Sequence, residues 1–225
     1  MITRLLIQTF ALVVMMGALL FLAAGDWQWP QAWLFLGEFL ISGLAVGIWL
    51  ARHDPALLAE RMTALVRRDQ MRWDRIFMSV VIIAFFAWLG LIALDARRFV
   101  WSHVPLSAQV LGAPLIALSM VMCWRTFRVN SFAVPQARIQ AERAQHVVSE
   151  GPYRFVRHPM YSGAILLFIG VPLMLGSFCG LALAPVFIFA LALRAIGEEN
   201  MLLRDLAGYD EYARKVRFRF VPGLW

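Results

Sequence analysis

Long apolar runs separated by short Arg-rich connections organise this 225-residue chain. The first run, about Leu5 to Ala24, follows Arg4 and is longer than a signal-peptide core of roughly 7–15 residues. It therefore reads as a retained first helix, although Ala23-Ala24-Gly25 supplies the small residues that a cleavage point would use. Asp26-Trp27-Gln28-Trp29-Pro30 makes a tight, Trp-bearing connection to a second helix, about Gln31 to Ala51. Arg52 to Arg75 is polar, and within it Pro55 to Met62 suits a short amphipathic helix lying at the membrane surface. A third helix is expected over about Ile76 to Leu94 and a fourth over Leu106 to Trp124, joined by the connection Asp95 to Pro105. After the polar section Arg125 to Arg157, Tyr161 to about Leu193 is apolar and broken near Gly176-Ser177-Phe178-Cys179-Gly180. That stretch fits two tight, short helices better than one long bent one, with Pro172 and Pro185 marking kinks. The expected architecture is all-α: a polytopic transmembrane bundle of about six spans, the last two a short hairpin, then a C-terminal helix and tail.

Composition agrees, since 61% of residues are hydrophobic and only 16% charged, which excludes an ordinary soluble domain. The net charge of +7 does not indicate nucleic acid, because the Arg residues cluster beside the apolar runs, where they contact anionic lipid and set topology. With six spans, nineteen Lys or Arg fall on one side and only Arg97 and Arg98 on the other. The rule that basic loops stay inside then places both termini in the cytosol of a bacterial-type inner membrane or its equivalent. Cys123 and Cys179 lie inside apolar runs and read as small buried side chains, and no spacing suggests a metal site. Glu38 is an intramembrane carboxylate, but it lies near enough to a helix start to snorkel to the interface.

Two stretches carry chemistry. Gly151-Pro152-Tyr153-Arg154-Phe155-Val156-Arg157-His158-Pro159-Met160-Tyr161-Ser162-Gly163 combines residue types that apolar burial does not explain. Pro159 fixes its own φ and disfavours helix at His158, so a helix is expected to start at Pro159 with His158 as its cap. Its first turn would offer free N–H groups to an anionic ligand group, and Gly163 would admit another backbone or a ligand. The competing reading is a basic, aromatic interface collar. The second stretch, Arg194-Ala195-Ile196-Gly197-Glu198-Glu199, puts Arg194 and Glu198 one turn apart on the same helix face. Adjacent carboxylates beside anionic lipid call for a cation or hydroxyl partner, or else form a solvated face paired to nearby Arg. The tail alternates Arg217-Phe218-Arg219-Phe220, suited to lying on the membrane or closing over a site.

Arg157-His158-Pro159-x-Tyr161-x-Gly163, followed by Arg194-x-x-x-Glu198-Glu199-x-x-Leu202 and Tyr209-x-x-Tyr212, resembles the isoprenylcysteine carboxyl methyltransferase and phospholipid methyltransferase superfamily over roughly Gln145 to Trp225. The resemblance implies S-adenosylmethionine as cofactor, bound at the cytosolic face by residues 125–225. It also implies residues 1–124 as walls for a hydrophobic or lipid-linked methyl acceptor. By motif position Gln145, Val147 and Val148 form an upstream cofactor strip; Tyr153, His158, Pro159, Met160 and Tyr161 a central one; and Glu198 a cofactor-side carboxylate. Arg194 would face the acceptor, and Glu199 or His158 would take a proton from an amine or thiol acceptor, so Arg194 and Glu199 are the catalytic candidates. The tail departs from the family's Phe-Gly-x-x-Tyr pattern, reading Leu206-Ala207-Gly208-Tyr209. Membrane enone and steroid reductases using NADPH share the Arg-His-Pro-x-Tyr signature, but tend to carry Asn after the Pro and an acidic residue after the later Gly. Met160 and Ala164 stand there in this chain. A non-enzymatic scaffold or carrier is the remaining alternative. The acceptor itself is not encoded in any motif: a prenylated carboxylate, a phospholipid amine and a small hydrophobic thiol or acid all fit.

Overall fold

The structure is a computed structural model that describes residues 1–63 and 70–225. Its helices are α1 (Ile2–Ala24), α2 (Pro30–His53), α3 (Pro55–Arg61), α4 (Arg72–Ala93), α5 (Leu106–Phe127), α6 (Pro159–Leu175), α7 (Phe178–Asp205) and α8 (Tyr209–Lys215). Among the described residues there is no strand. Helices α1, α2, α4 with its extension, α5 and α7 are long and apolar enough to cross a membrane, and α6 is a shorter apolar helix of 17 residues. The chain is an integral, multi-pass membrane protein, and Ile7, Val14, Leu22, Ile41, Ile83 and Phe189 are exposed where bilayer would meet them.

Local chemistry sets most helix ends. Gly25 ends α1 and Gly176 ends α6, both at positive φ (68° and 87°), a conformation open to glycine without strain. Asp54 caps α3 by accepting the Leu57 N–H at 2.9 Å, and Ser177 caps α7 by accepting the Gly180 N–H at 2.8 Å. His158 precedes α6 and Pro159 opens it, as their order in the chain predicts.

Three boundaries differ from expectation. Helix α4 begins four residues earlier, at Arg72, so Asp74 lies inside it; beyond Ala93 it continues as a π turn, Leu94–Arg98, and Asp95 is buried there instead of opening a loop. The hairpin is uneven, because α7 runs 28 residues to Asp205 and carries the Arg194–Glu199 stretch as helix. Of the expected polar section from Arg52 to Arg75, Arg67, Arg68 and Asp69 lie outside the described residues.

Helix packing relies on small residues. A Cβ on Gly112 of α5 would fall 2.5 Å from the Met174 backbone nitrogen and 2.6 Å from the Gly170 carbonyl of α6. Without apolar driving force between helices in lipid, such close backbone approach supplies the association. Gly163 does the same against the Ser119 carbonyl, at 3.1 Å, so its freedom serves a neighbouring backbone. Helix α7 meets α4 twice through glycines: Gly180 against Ile92 and Gly197 against the Trp73 ring. The main core gathers Met16, Leu20, Phe35, Leu89, Ile92, Ile116 and Val171. A second cluster of Leu5, Leu50, Leu57, Leu58, Phe127 and Ala133 seats α3 beneath the ends of α1, α2 and α5. Arg61 of α3 then donates to the Ala133 carbonyl at 2.7 Å, anchoring the loop that follows α5.

Candidate functional site

The loop after α5, the start of α6, the last third of α7 and the region around α8 enclose one cavity. Gln145, Val147, Val148, Tyr153, His158, Pro159, Met160, Tyr161, Arg194 and Glu198 all line it. Residues from two stretches some forty positions apart thus meet at a single place. Glu199 does not line it. Successive residues of a helix point about 100° apart, so when Glu198 faces the cavity its neighbour turns away.

Glu199 turns into a buried ionic hub. It accepts from Arg157 Nε at 2.7 Å and Nη2 at 3.3 Å, and from Arg219 Nε at 2.9 Å, while His158 Nε2 lies 3.1 Å from its Oε1. The reading of Glu199 as part of a solvated face is therefore corrected, since its side chain is 7% exposed. Arg157 also donates to the Ala213 and Val216 carbonyls, at 3.2 and 3.0 Å. The backbone N–H groups of Arg157 and His158 donate to the Phe218 and Arg219 carbonyls, each at 2.9 Å, and the Ser162 hydroxyl to the Phe220 carbonyl at 2.5 Å. The tail accordingly straps across the start of α6, and the Phe220 ring stands edge-on to both His158 and Tyr161.

Inside the cavity the His158 and Tyr161 rings stack in parallel, 5.2 Å between centroids. The Tyr161 hydroxyl donates to Glu198 Oε2 at 2.7 Å. On the loop side Asn130 donates to the Tyr153 hydroxyl at 2.7 Å, and Tyr212 donates to the Tyr153 carbonyl at 2.9 Å. Burial pushes the Tyr153 and Tyr212 phenols up, so both stay neutral near pH 7. Gln145 accepts the Gln140 N–H at 2.7 Å, which fixes the turn ahead of Val147 and Val148.

Arg194 is nearly buried. Its Nε donates to Asp74 Oδ1 at 2.8 Å and its Nη2 donates to the Pro135 carbonyl. Asp74 is fully buried, and its Oδ2 accepts from the Ala137 N–H at 2.7 Å and from Gln70 at 2.5 Å. Arg138, another lining residue, pairs with Glu60 at 3.0 Å and Glu142 at 2.7 Å; burial opposes its charge, but these two carboxylates hold its pKa above the usual arginine value. Asp74, Arg138 and Asn130 escaped the reading of the sequence. Each lies in or beside a polar connection where a charge or amide reads as solvated, and each finds its partner only through the fold.

Residues 107–207 match the family model described as phospholipid methyltransferase. The chain is 29% identical over 117 residues to a probable protein-S-isoprenylcysteine O-methyltransferase of Oryza sativa subsp. indica, covering 51% of this chain and 58% of that protein. It is 27% identical over 117 residues to protein-S-isoprenylcysteine O-methyltransferase B of Arabidopsis thaliana, covering 51% and 56%. It is also 27% identical over 173 residues to the nickel-cobalt-cadmium resistance protein NccN of Alcaligenes xylosoxydans xylosoxydans, covering 76% and 73%. The matches to the isoprenylcysteine methyltransferases thus span a little over half the length of those relatives.

Proposed function

We propose that this chain, which is similar over residues 107–207 to the phospholipid methyltransferase family and over 117 residues to isoprenylcysteine O-methyltransferases, moves a methyl group from S-adenosylmethionine to a hydrophobic or lipid-linked acceptor. The observation that carries this reading is the convergence of His158, Tyr161, Arg194 and Glu198 on one cavity. Its donor set fits the cofactor. The Glu198 carboxylate and the stacked faces of His158 and Tyr161 suit a cationic ligand, the ring faces being electron-rich. Gln145, Val147, Val148, Tyr153, Pro159 and Met160 would hold the remainder.

When bound, S-adenosylmethionine supplies an electrophilic methyl group. Its transfer asks the protein for alignment and a dry site, not for a nucleophile of its own. The loop after α5 walls the cavity, and the tail strap holds the start of α6 that lines it. Tyr161 holds Glu198 in place through its hydroxyl. Arg194 holds the acceptor by a charge-assisted hydrogen bond, which favours an isoprenylcysteine-type carboxylate over an amine. Glu199 acts through its contacts with Arg157 and His158, which set the ring that lines the cavity. The basic connections support a cavity at the cytosolic face with both termini on that side, and residues 1–124 would wall the acceptor side.

Calorimetric titration of the detergent-purified protein tests the reading. S-adenosylhomocysteine is expected to bind and NADPH not to; Tyr161→Ala and Glu198→Ala are each expected to weaken that binding about tenfold or more, the loss of one charge-assisted contact. Binding of NADPH alone would move the protein to the reductases. Wild-type affinity in both variants would remove the cavity from consideration.

A further inference from the structure

Resting on the methyltransferase reading, we infer that Asp74 is the positioning residue for Arg194, and that the pair selects an acceptor carrying a carboxylate. Asp74 is the fully buried carboxylate that reaches the site from α4, a helix outside both motifs. Its two oxygens divide the work. Oδ1 takes the Nε proton of Arg194 at 2.8 Å, and Oδ2 takes the Ala137 N–H at 2.7 Å, pinning the loop that walls the cavity. Both partners are thereby held against one rigid point. The point itself is set by contact, because the Trp73 ring packs on Gly197 so closely that a Cβ there would fall 2.9 Å from it.

The geometry also decides which part of Arg194 is free. Nε is committed to Asp74 and Nη2 to the Pro135 carbonyl, whereas Nη1 has no partner among the described residues. A guanidinium with five N–H donors retains donors for a ligand after these two bonds. Phe77 and Tyr161 flank it, each ring centroid 5.9 Å from the guanidinium carbon, so it cannot swing without breaking those contacts as well. The Nη1 side of a guanidinium fixed in this way presents only N–H donors, which a carboxylate oxygen can accept and a protonated amine cannot. Alignment of that oxygen with the transferable methyl then depends on Asp74 through Arg194. A misplacement of about 1 Å at such a distance from the chemistry costs on the order of 100-fold in rate.

The test is a kinetic double-mutant cycle on the full chain, with S-adenosylmethionine as donor and N-acetyl-S-farnesylcysteine as the carboxylate probe. Asp74→Asn is expected to lower kcat about 100-fold, with S-adenosylhomocysteine affinity within about threefold of wild type. Arg194→Gln is expected to lose a similar factor, and the double variant to be no slower than Arg194→Gln alone. A wild-type kcat for Asp74→Asn, or losses that multiply in the double variant, would overturn the inference. So would cofactor affinity that falls with kcat, which is the mark of a merely structural role. Should Asp74→Asn fail to fold, the double variant replaces the ion pair by two amides, and its kcat relative to Arg194→Gln alone decides the matter. Wild-type protein that binds S-adenosylhomocysteine but leaves the probe unmethylated overturns the carboxylate selection only. Wild-type protein that binds no S-adenosylhomocysteine overturns the methyltransferase reading, and this inference with it.

Discussion

Helix α4 carries a fully buried aspartate near each end, and the two are answered in different ways. At the cavity end Asp74 meets a cation, Arg194, together with the Ala137 N–H and Gln70. At the far end Asp95 meets only neutral donors: Oδ2 accepts the Ser102 hydroxyl at 2.7 Å, the Ser177 hydroxyl at 2.5 Å and the Cys179 N–H at 3.1 Å. Its Oδ1 is buried without a partner among the described residues. Cations are close by in sequence, yet Arg97 turns away to Asp26 and to the Gln28 carbonyl. The far end is a joint that fastens α4 to the start of α7, and neutral hydrogen bonds suffice for a joint. The cavity end holds a charge in a defined orientation, and a buried counter-charge with further hydrogen bonds offsets the cost of taking that charge out of water.

The largest expected effect is the contrast between the two isosteric replacements. Asp74→Asn leaves Arg194 buried beside a neutral amide whose NH2 must face a donor, and is expected to cost about 3–5 kcal/mol of stability. In Asp95→Asn the amide oxygen can take the place of Oδ2, and the NH2 falls where Oδ1 had no partner. That change is expected to cost about 1 kcal/mol or less. Thermal unfolding of both variants in the same detergent measures the gap, and equal losses would break the distinction between anchor and joint.

A smaller contrast concerns the glycines through which α7 approaches α4 at the two ends. A Cβ on Gly180 would fall 2.4 Å from Ile92 Cγ1, so Gly180→Ala is expected to destabilise by about 1–3 kcal/mol while leaving S-adenosylhomocysteine affinity unchanged. Gly197→Ala presses on Trp73, next to Asp74, and is expected to lower the methylation rate more than it lowers the melting temperature. Paired rate and melting measurements on each variant decide this, and a rate unchanged by Gly197→Ala would detach Trp73 from the site. The smallest effect is that of Arg97→Ala. Its ion pair with Asp26 is about one-third exposed on both sides and screened by solvent, so no resolvable change in melting temperature is expected.

Much of this protein was legible in the order of its residues. Apolar runs of membrane length locate the spans, because no other arrangement satisfies so much hydrophobic surface and its backbone polar groups together. Pro159 after His158, Gly176 before Ser177 and Pro55 after Asp54 mark helix ends by local sterics and capping, which act within a few residues and need no tertiary partner. The motif residues were visible as a mixture that burial does not explain.

What the order of residues left open were choices between equivalent local states. Glu198 and Glu199 are adjacent and chemically alike; the motif resemblance assigned Glu198 to the cofactor side, but the hub of Glu199 with Arg157 and Arg219 follows only from the rotation of α7 against α6 and the tail. Gly163 could have admitted a ligand or a backbone, and the crossing of α5 over α6 fills the space with the Ser119 carbonyl. Asp74 resembled one more acid balancing a basic connection, until α4 and α7 were brought together across 120 residues of chain. Span positions and helix caps are therefore properties of the sequence alone, since burial and capping act on each segment separately. The counter-ion of Arg194 and the partners of Glu199 belong to the tertiary structure, because a charge finds its partner through distance in space and not through distance along the chain.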